Sequence, residues 1–312
     1  MFESTRMVSR QCSHLLLIVC YLFVAAPGLS VSALAQVAQE KSTTLRLALL
    51  RAVPKKWDLE ANFKVFLESV NLAAQRRANI LVTPECWLDG YASPDKDSTP
   101  ERIRSIAQSL ETSPYLKQVA EKAREHRLLI CFGFTSLEAG QPYNTAGLWD
   151  ANGQRIGVYH KTHLQNHDLQ YAPGEGLPVW PTSWGPVGVM ICADRRWPET
   201  ARVLRLQGAK LILNPTYGFY GDLNEAIMRT RAYENQCFIA FAHPKQSLVT
   251  GPNGKVLAKE DSTDDDDLNA PRVMICEIDL AQAKDDNHLR DRRPEIYRAI
   301  TNEGRAPQPQ SK

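Results

Sequence analysis

A chain of 312 residues, 43% hydrophobic and 23% charged, has an ordinary globular composition and is long enough for one large domain or two small ones. Its formal net charge of +2 gives no electrostatic ground for a nucleic-acid partner. Seven cysteines occur without a CxxC pair, which removes zinc-ribbon and thioredoxin-like readings.

The first 35 residues stand apart. Arg6, Arg10 and His14 precede an apolar run from Leu15 to Ala26, and Ala33-Leu34-Ala35 makes a small-x-small site before Gln36. That is the pattern of a cleavable secretory signal, so residues 1–35 are expected to be removed and the protein exported to the periplasm or outside the cell. The apolar core is short for a membrane span, so no stable insertion is expected after cleavage; tethering by an uncleaved signal is the alternative. Loss of Cys12 and Cys20 leaves five cysteines, an odd number, so at least one is unpaired.

From about residue 44 strands and helices alternate. Leu45 to Val53 reads as a strand. Asp58 to Arg77 reads as an amphipathic helix, with Leu59, Phe63, Phe66, Leu67, Val70 and Ala74 at helical spacing and Asp58 as its cap. Asn79 to Thr83 is a short strand, Pro100 to Arg127 one long helical region, and Leu128 to Phe134 a further strand. Thr145 to Tyr159 reads as a hairpin around Asp150-Ala151-Asn152-Gly153. Pro186 to Cys192 is a strand, Glu199 to Gln207 a helix, Lys210 to Leu213 a strand, Asn224 to Gln236 a helix and Cys237 to Ala242 a strand. A hairpin around Gly251-Pro252-Asn253-Gly254 and a strand from Val273 to Ile278 close a domain spanning 44–300, before a polar tail at 301–312 expected to be disordered. The alternation implies an α/β architecture with sheets covered by helices.

Three of these strands end in chemistry. Gly188-Val189-Met190-Ile191-Cys192 delivers a thiol into Ala193-Asp194-Arg195-Arg196-Trp197-Pro198-Glu199, where backbone N–H groups of the turn are placed to lower its pKa and to bind an oxyanion. Alone this is ambiguous, because free cysteines are often small buried hydrophobes. But Thr83-Pro84-Glu85 follows another apolar run, and Tyr159-His160-Lys161-Thr162-His163-Leu164 ends the first hairpin. An acid, an ammonium and a thiol at strand ends form a catalytic set.

Glu85, Lys161 and Cys192, in that order and in these contexts, resemble the nitrilase (carbon–nitrogen hydrolase) superfamily. Asn214-Pro215-Thr216, Arg231-Ala232-Tyr233-Glu234-Asn235 and Arg292-Arg293-Pro294-Glu295 also match. The resemblance implies a four-layer α-β-β-α sandwich, assembly into dimers or larger homo-oligomers, and no metal or organic cofactor. Within the superfamily, Asp194 to Thr200 is similar to N-carbamoyl-D-amino acid amidohydrolases, which implies that Arg195 and Arg196 hold the α-carboxylate of a small-molecule substrate. Ala193 stands where those enzymes carry Asn. Asp168, before Tyr171-Ala172, stands where many members carry a second Glu, and it implies a supporting role beside Lys161.

The remaining polar clusters have plainer readings. His160, His163 and His167 flank Lys161 without a helical pattern and read as hydrogen-bonding rather than metal-ligating residues. Asp264 to Asp267 lacks the interleaved spacing of a calcium loop. Cys86, Cys131, Cys237 and Cys276 read as packing residues. The expected function is hydrolysis of an N-carbamoyl amino acid or small linear amide, releasing ammonia through an intermediate on Cys192. Nitrile cleavage and a catalytically silent binding scaffold are the alternatives.

Overall fold

The computed structural model describes residues 43–168, 170–262 and 271–301. The expected signal at 1–35, Asp264 to Asp267 and the tail beyond Thr301 lie outside the described residues. Among the described residues twelve strands make two six-stranded sheets. In the first, β1 (Thr44–Arg51), β2 (Ile80–Val82) and β3 (Leu129–Glu138) run parallel. They are flanked by antiparallel β12 (Arg272–Asp279) on one side, and by β4 (Gln141–Trp149) and β5 (Arg155–His160) on the other. The second sheet repeats the scheme. β7 (Val187–Val189), β8 (Leu211–Pro215) and β9 (Phe238–Ala242) are parallel, between the two-residue β6 (Val179–Trp180) and the hairpin of β10 (Gln246–Thr250) and β11 (Val256–Asp261).

Alternation along each strand sorts the side chains into layers. Leu45, Leu47 and Leu49 of β1 share a core between the sheets with Phe238 and Ala240 of β9 and Val249 of β10. Ala48 and Leu50 point the other way, onto α1 (Leu59–Gln75) and α3 (Pro114–His126). Ile212 and Ile239 lie against α4 (Pro198–Leu206) and α5 (Asp222–Asn235). The result is the expected α-β-β-α sandwich. α1 begins where the sequence places it, with the Asp58 carboxylate accepting the N–H of Ala61 at 3.0 Å.

The expected single helix from Pro100 to Arg127 is two: α2 (Pro100–Ile106) and α3. Ala107 is extended, and the Ser113 hydroxyl caps Leu116 N–H with Pro114 in the first turn, so the chain restarts at a built N-terminus. Gln108, between the helices, bonds backbone to backbone with Thr135 and Leu137 beside β3. All five described cysteines are free and buried.

Candidate active site

The carboxyl ends of the parallel strands of both sheets converge, and the sequence-predicted residues meet there. Glu85 follows β2 on a tight turn in which Cys86, Gly90 and Tyr91 all have positive φ. Gly133 on β3 lies directly beneath; a Cβ there would enter the carbonyl of Pro84, so glycine is what lets β3 approach this turn. Lys161 continues β5, its N–H donating to Asn144 O at 2.9 Å. Asp168 ends a short 3-10 turn, Asn166–Asp168.

Glu85, Lys161 and Asp168 are fully buried. The ammonium of Lys161 donates to Glu85 Oε1 at 2.9 Å and to Asp168 Oδ2 at 2.6 Å. Aspartate therefore reaches the lysine despite its shorter side chain. Its Oδ2 also accepts Gln165 N–H at 3.1 Å, while Oδ1 accepts the Tyr91 hydroxyl at 3.3 Å. The Glu85 carboxylate is held from both sides, by Asn144 Nδ2 on Oε1 at 2.8 Å and by Tyr217 N–H on Oε2 at 3.0 Å. Burial alone would push the lysine pKa down; Glu85, the thiol and Asp168 more than offset this and hold it above the ordinary range. At neutral pH this lysine is a cation.

Cys192 opens a 3-10 turn, Cys192–Arg196, and sits at φ +44°, a left-handed conformation that a side chain rarely adopts. Asp194 holds the turn in that shape. Its buried carboxylate accepts Ile191 N–H at 2.8 Å and the Tyr159 hydroxyl at 2.7 Å on Oδ2, and Thr162 Oγ1 at 3.0 Å and His163 N–H at 2.9 Å on Oδ1. One aspartate thus ties the cysteine turn to the segment following Lys161. Asn214 Nδ2 holds Met190 O at 2.8 Å, and Arg231 holds the carbonyls of Arg195 and Arg196 at 3.1 and 2.9 Å.

The expectation that the turn lowers the thiol pKa is corrected here. Burial, then Glu85, push the Cys192 thiol up by more than Lys161 and Arg195 pull it down. The resting group is a protonated thiol that needs a base.

The two arginines diverge. Arg195 is fully buried beside the thiol, with Nη1 3.5 Å from Cys192 Sγ. Arg196 is exposed and donates to Gln165 Oε1 at 2.6 Å. Of the histidines near Lys161, His160 bonds to Thr145 Oγ1 and Glu138, His163 to Asp194, and His167 to the Tyr91 hydroxyl at 2.8 Å. Asn144 and Tyr91 escaped the sequence reading, and Asp194 entered it only as part of the segment after the thiol. Only Asp194 carried a local signal, an acid two residues after the thiol.

The family model described as Carbon-nitrogen hydrolase matches residues 33–287. A Pseudomonas protegens protein named "Hydrolase in pqqF 5'region" is 32% identical over 293 residues, covering 86% of this chain and 94% of its own length. A citrullinase of Francisella tularensis is 27% identical over 277 residues, covering 78% of this chain and 94% of its own. Among solved structures, a carbon-nitrogen hydrolase from Helicobacter pylori superposes with TM-score 0.72 at 19% identity, covering 84% of this chain and 99% of that one. An amidase from Nesterenkonia sp. gives 0.68 at 23%, covering 88% and 100%. The last two establish likeness of fold.

Proposed function

The chain belongs to the carbon–nitrogen hydrolase family, and we propose that within it the chain hydrolyses an N-carbamoyl amino acid or a small linear amide through a Cys192-bound intermediate. The observation that carries this reading is a buried thiol above its ordinary pKa, set beside a buried carboxylate and an obligate ammonium. Glu85 takes the thiol proton, and the thiolate attacks the carbonyl or ureido carbon. Lys161 Nζ and a backbone N–H following Cys192 hold the oxyanion. Glu85 returns the proton to the departing ammonia, then activates the water that breaks the C–S bond. Asp168, on the far side of the ammonium, keeps Lys161 charged and aimed.

Substrate class rests on Arg196 and on relatives that include a citrullinase and an N-carbamoylputrescine amidase of Arabidopsis thaliana, 24% identical over 280 residues. A carboxylate next to the scissile group would meet Arg196, the exposed member of the pair. Arg196, at the exposed rim, is expected to raise KM about fivefold for carboxylated substrates when replaced by Ala, leaving neutral amides unchanged. The deciding experiment is ammonia release from a panel of N-carbamoyl amino acids, aliphatic amides and nitriles, with Cys192→Ala as control. Turnover in Cys192→Ala, or cleavage of nitriles alone, would overturn the proposal. In the same reading the protein works as a homo-oligomer after export and removal of residues 1–35. N-terminal sequencing from the native source should then start at or near Gln36; an intact Met1 in a soluble cytoplasmic fraction would refute export.

A further inference from the structure

Among the described residues Arg195 has no counter-ion, and its surroundings say which anion it awaits. In a 3-10 turn the side chains at i and i+3 eclipse, so the side chain of Arg195 stands over that of Cys192. Its Nη1 lies 3.5 Å from Sγ. The rest of the guanidinium is fixed by neutral groups: Nε donates to Asn224 Oδ1 and Nη2 to Phe219 O, each at 2.7 Å, and the Phe219 ring lies 4.3 Å away. Among the described residues no carboxylate forms an ion pair with it. A fully buried cation with only neutral partners is costly, and such a group is retained where an anion arrives. Lys161 differs, because Glu85 and Asp168 already neutralise it.

We propose that Arg195 is a catalytic residue whose guanidinium holds the Cys192 thiolate. This rests on the reading of Cys192 as nucleophile. The proton passes from Sγ to the Glu85 carboxylate, and the negative charge left on sulfur is held by Arg195 Nη1. When the C–S bond forms, that charge moves onto the substrate oxygen, which Lys161 receives. The labour is divided: arginine for the thiolate, lysine for the oxyanion.

The test is the pH dependence of Cys192 alkylation by iodoacetamide in the full chain, mapped by mass spectrometry, alongside kcat and KM for a neutral amide. In Arg195→Gln the alkylation midpoint should rise by about one pH unit or more, and kcat should fall about 10- to 100-fold with KM little changed. Arg195→Lys should lie between. If Arg195→Gln fails to fold, Asn224→Ala frees the guanidinium and should move the midpoint the same way by less. An unmoved midpoint, with loss confined to KM for carboxylated substrates, overturns the proposal and makes Arg195 a substrate clamp. Alkylation needs no turnover. A shifted midpoint in a protein that hydrolyses neither amides nor N-carbamoyl amino acids would therefore sink the proposed function while sustaining the contact between Arg195 and the thiolate.

Discussion

Asp194→Asn should destabilise the protein by about 3 kcal/mol, although it changes one atom. Two main-chain donors fix the carboxylate, Ile191 N–H on Oδ2 at 2.8 Å and His163 N–H on Oδ1 at 2.9 Å. An amide must set its NH2 group against one of them. The hydroxyls of Tyr159 and Thr162 can reverse and accept, and so can His163 Nδ1; the peptide N–H groups cannot. The better orientation turns the NH2 toward His163, which is partly exposed, and keeps the oxygen on the buried Ile191. One donor is then orphaned at about 1–3 kcal/mol, and the surviving bonds lose the strength that the charge lent them. Urea unfolding at neutral pH, followed by tryptophan fluorescence, should show the midpoint falling by about 1 M. Activity should fall too, because the same carboxylate holds Cys192 at φ +44°. A loss of stability below about 1 kcal/mol would show that the turn keeps its shape without these bonds.

Two further outcomes follow from the same surroundings. A Cβ on Gly218 would sit 3.1 Å from Cys192 Sγ, so Gly218→Ala should lower kcat/KM about tenfold with little change in Tm; an unchanged rate would mean the thiol has room to move. His243 is buried and neutral, its Nε2–H donating to the carbonyls of Tyr217 and Gly218 while Nδ1 accepts from Lys245 and Gln246 N–H. Burial first, then the nearby Arg195 and Lys245 charges, hold its pKa down at about 4. The unfolded chain binds that proton near pH 6.5, so the stability from His243 is complete above 6.5 and lost as pH falls toward 4, about 3 kcal/mol in all. His243→Gln should flatten unfolding free energy against pH across that window, and an unaltered slope would count against a neutral imidazole.

Glu85, Lys161 and Cys192 were legible in the sequence because each directly follows, or closely follows, a run of apolar residues, and strand ends are local features. Helix α1 was legible for the same reason, its apolar period and its Asp58 cap lying within one short segment. The break between α2 and α3 was missed because both halves share a helical pattern, and what parts them is the pairing of Gln108 with Thr135 and Leu137. The thiol's raised pKa was read with the wrong sign: a turn's N–H groups are visible in sequence, whereas burial and the approach of Glu85 are not. Residue type and spacing thus set which groups carry chemistry. Which arginine is buried beside the thiol was decided only when Asn224 and Phe219 folded onto Arg195, because burial depends on residues far apart along the chain.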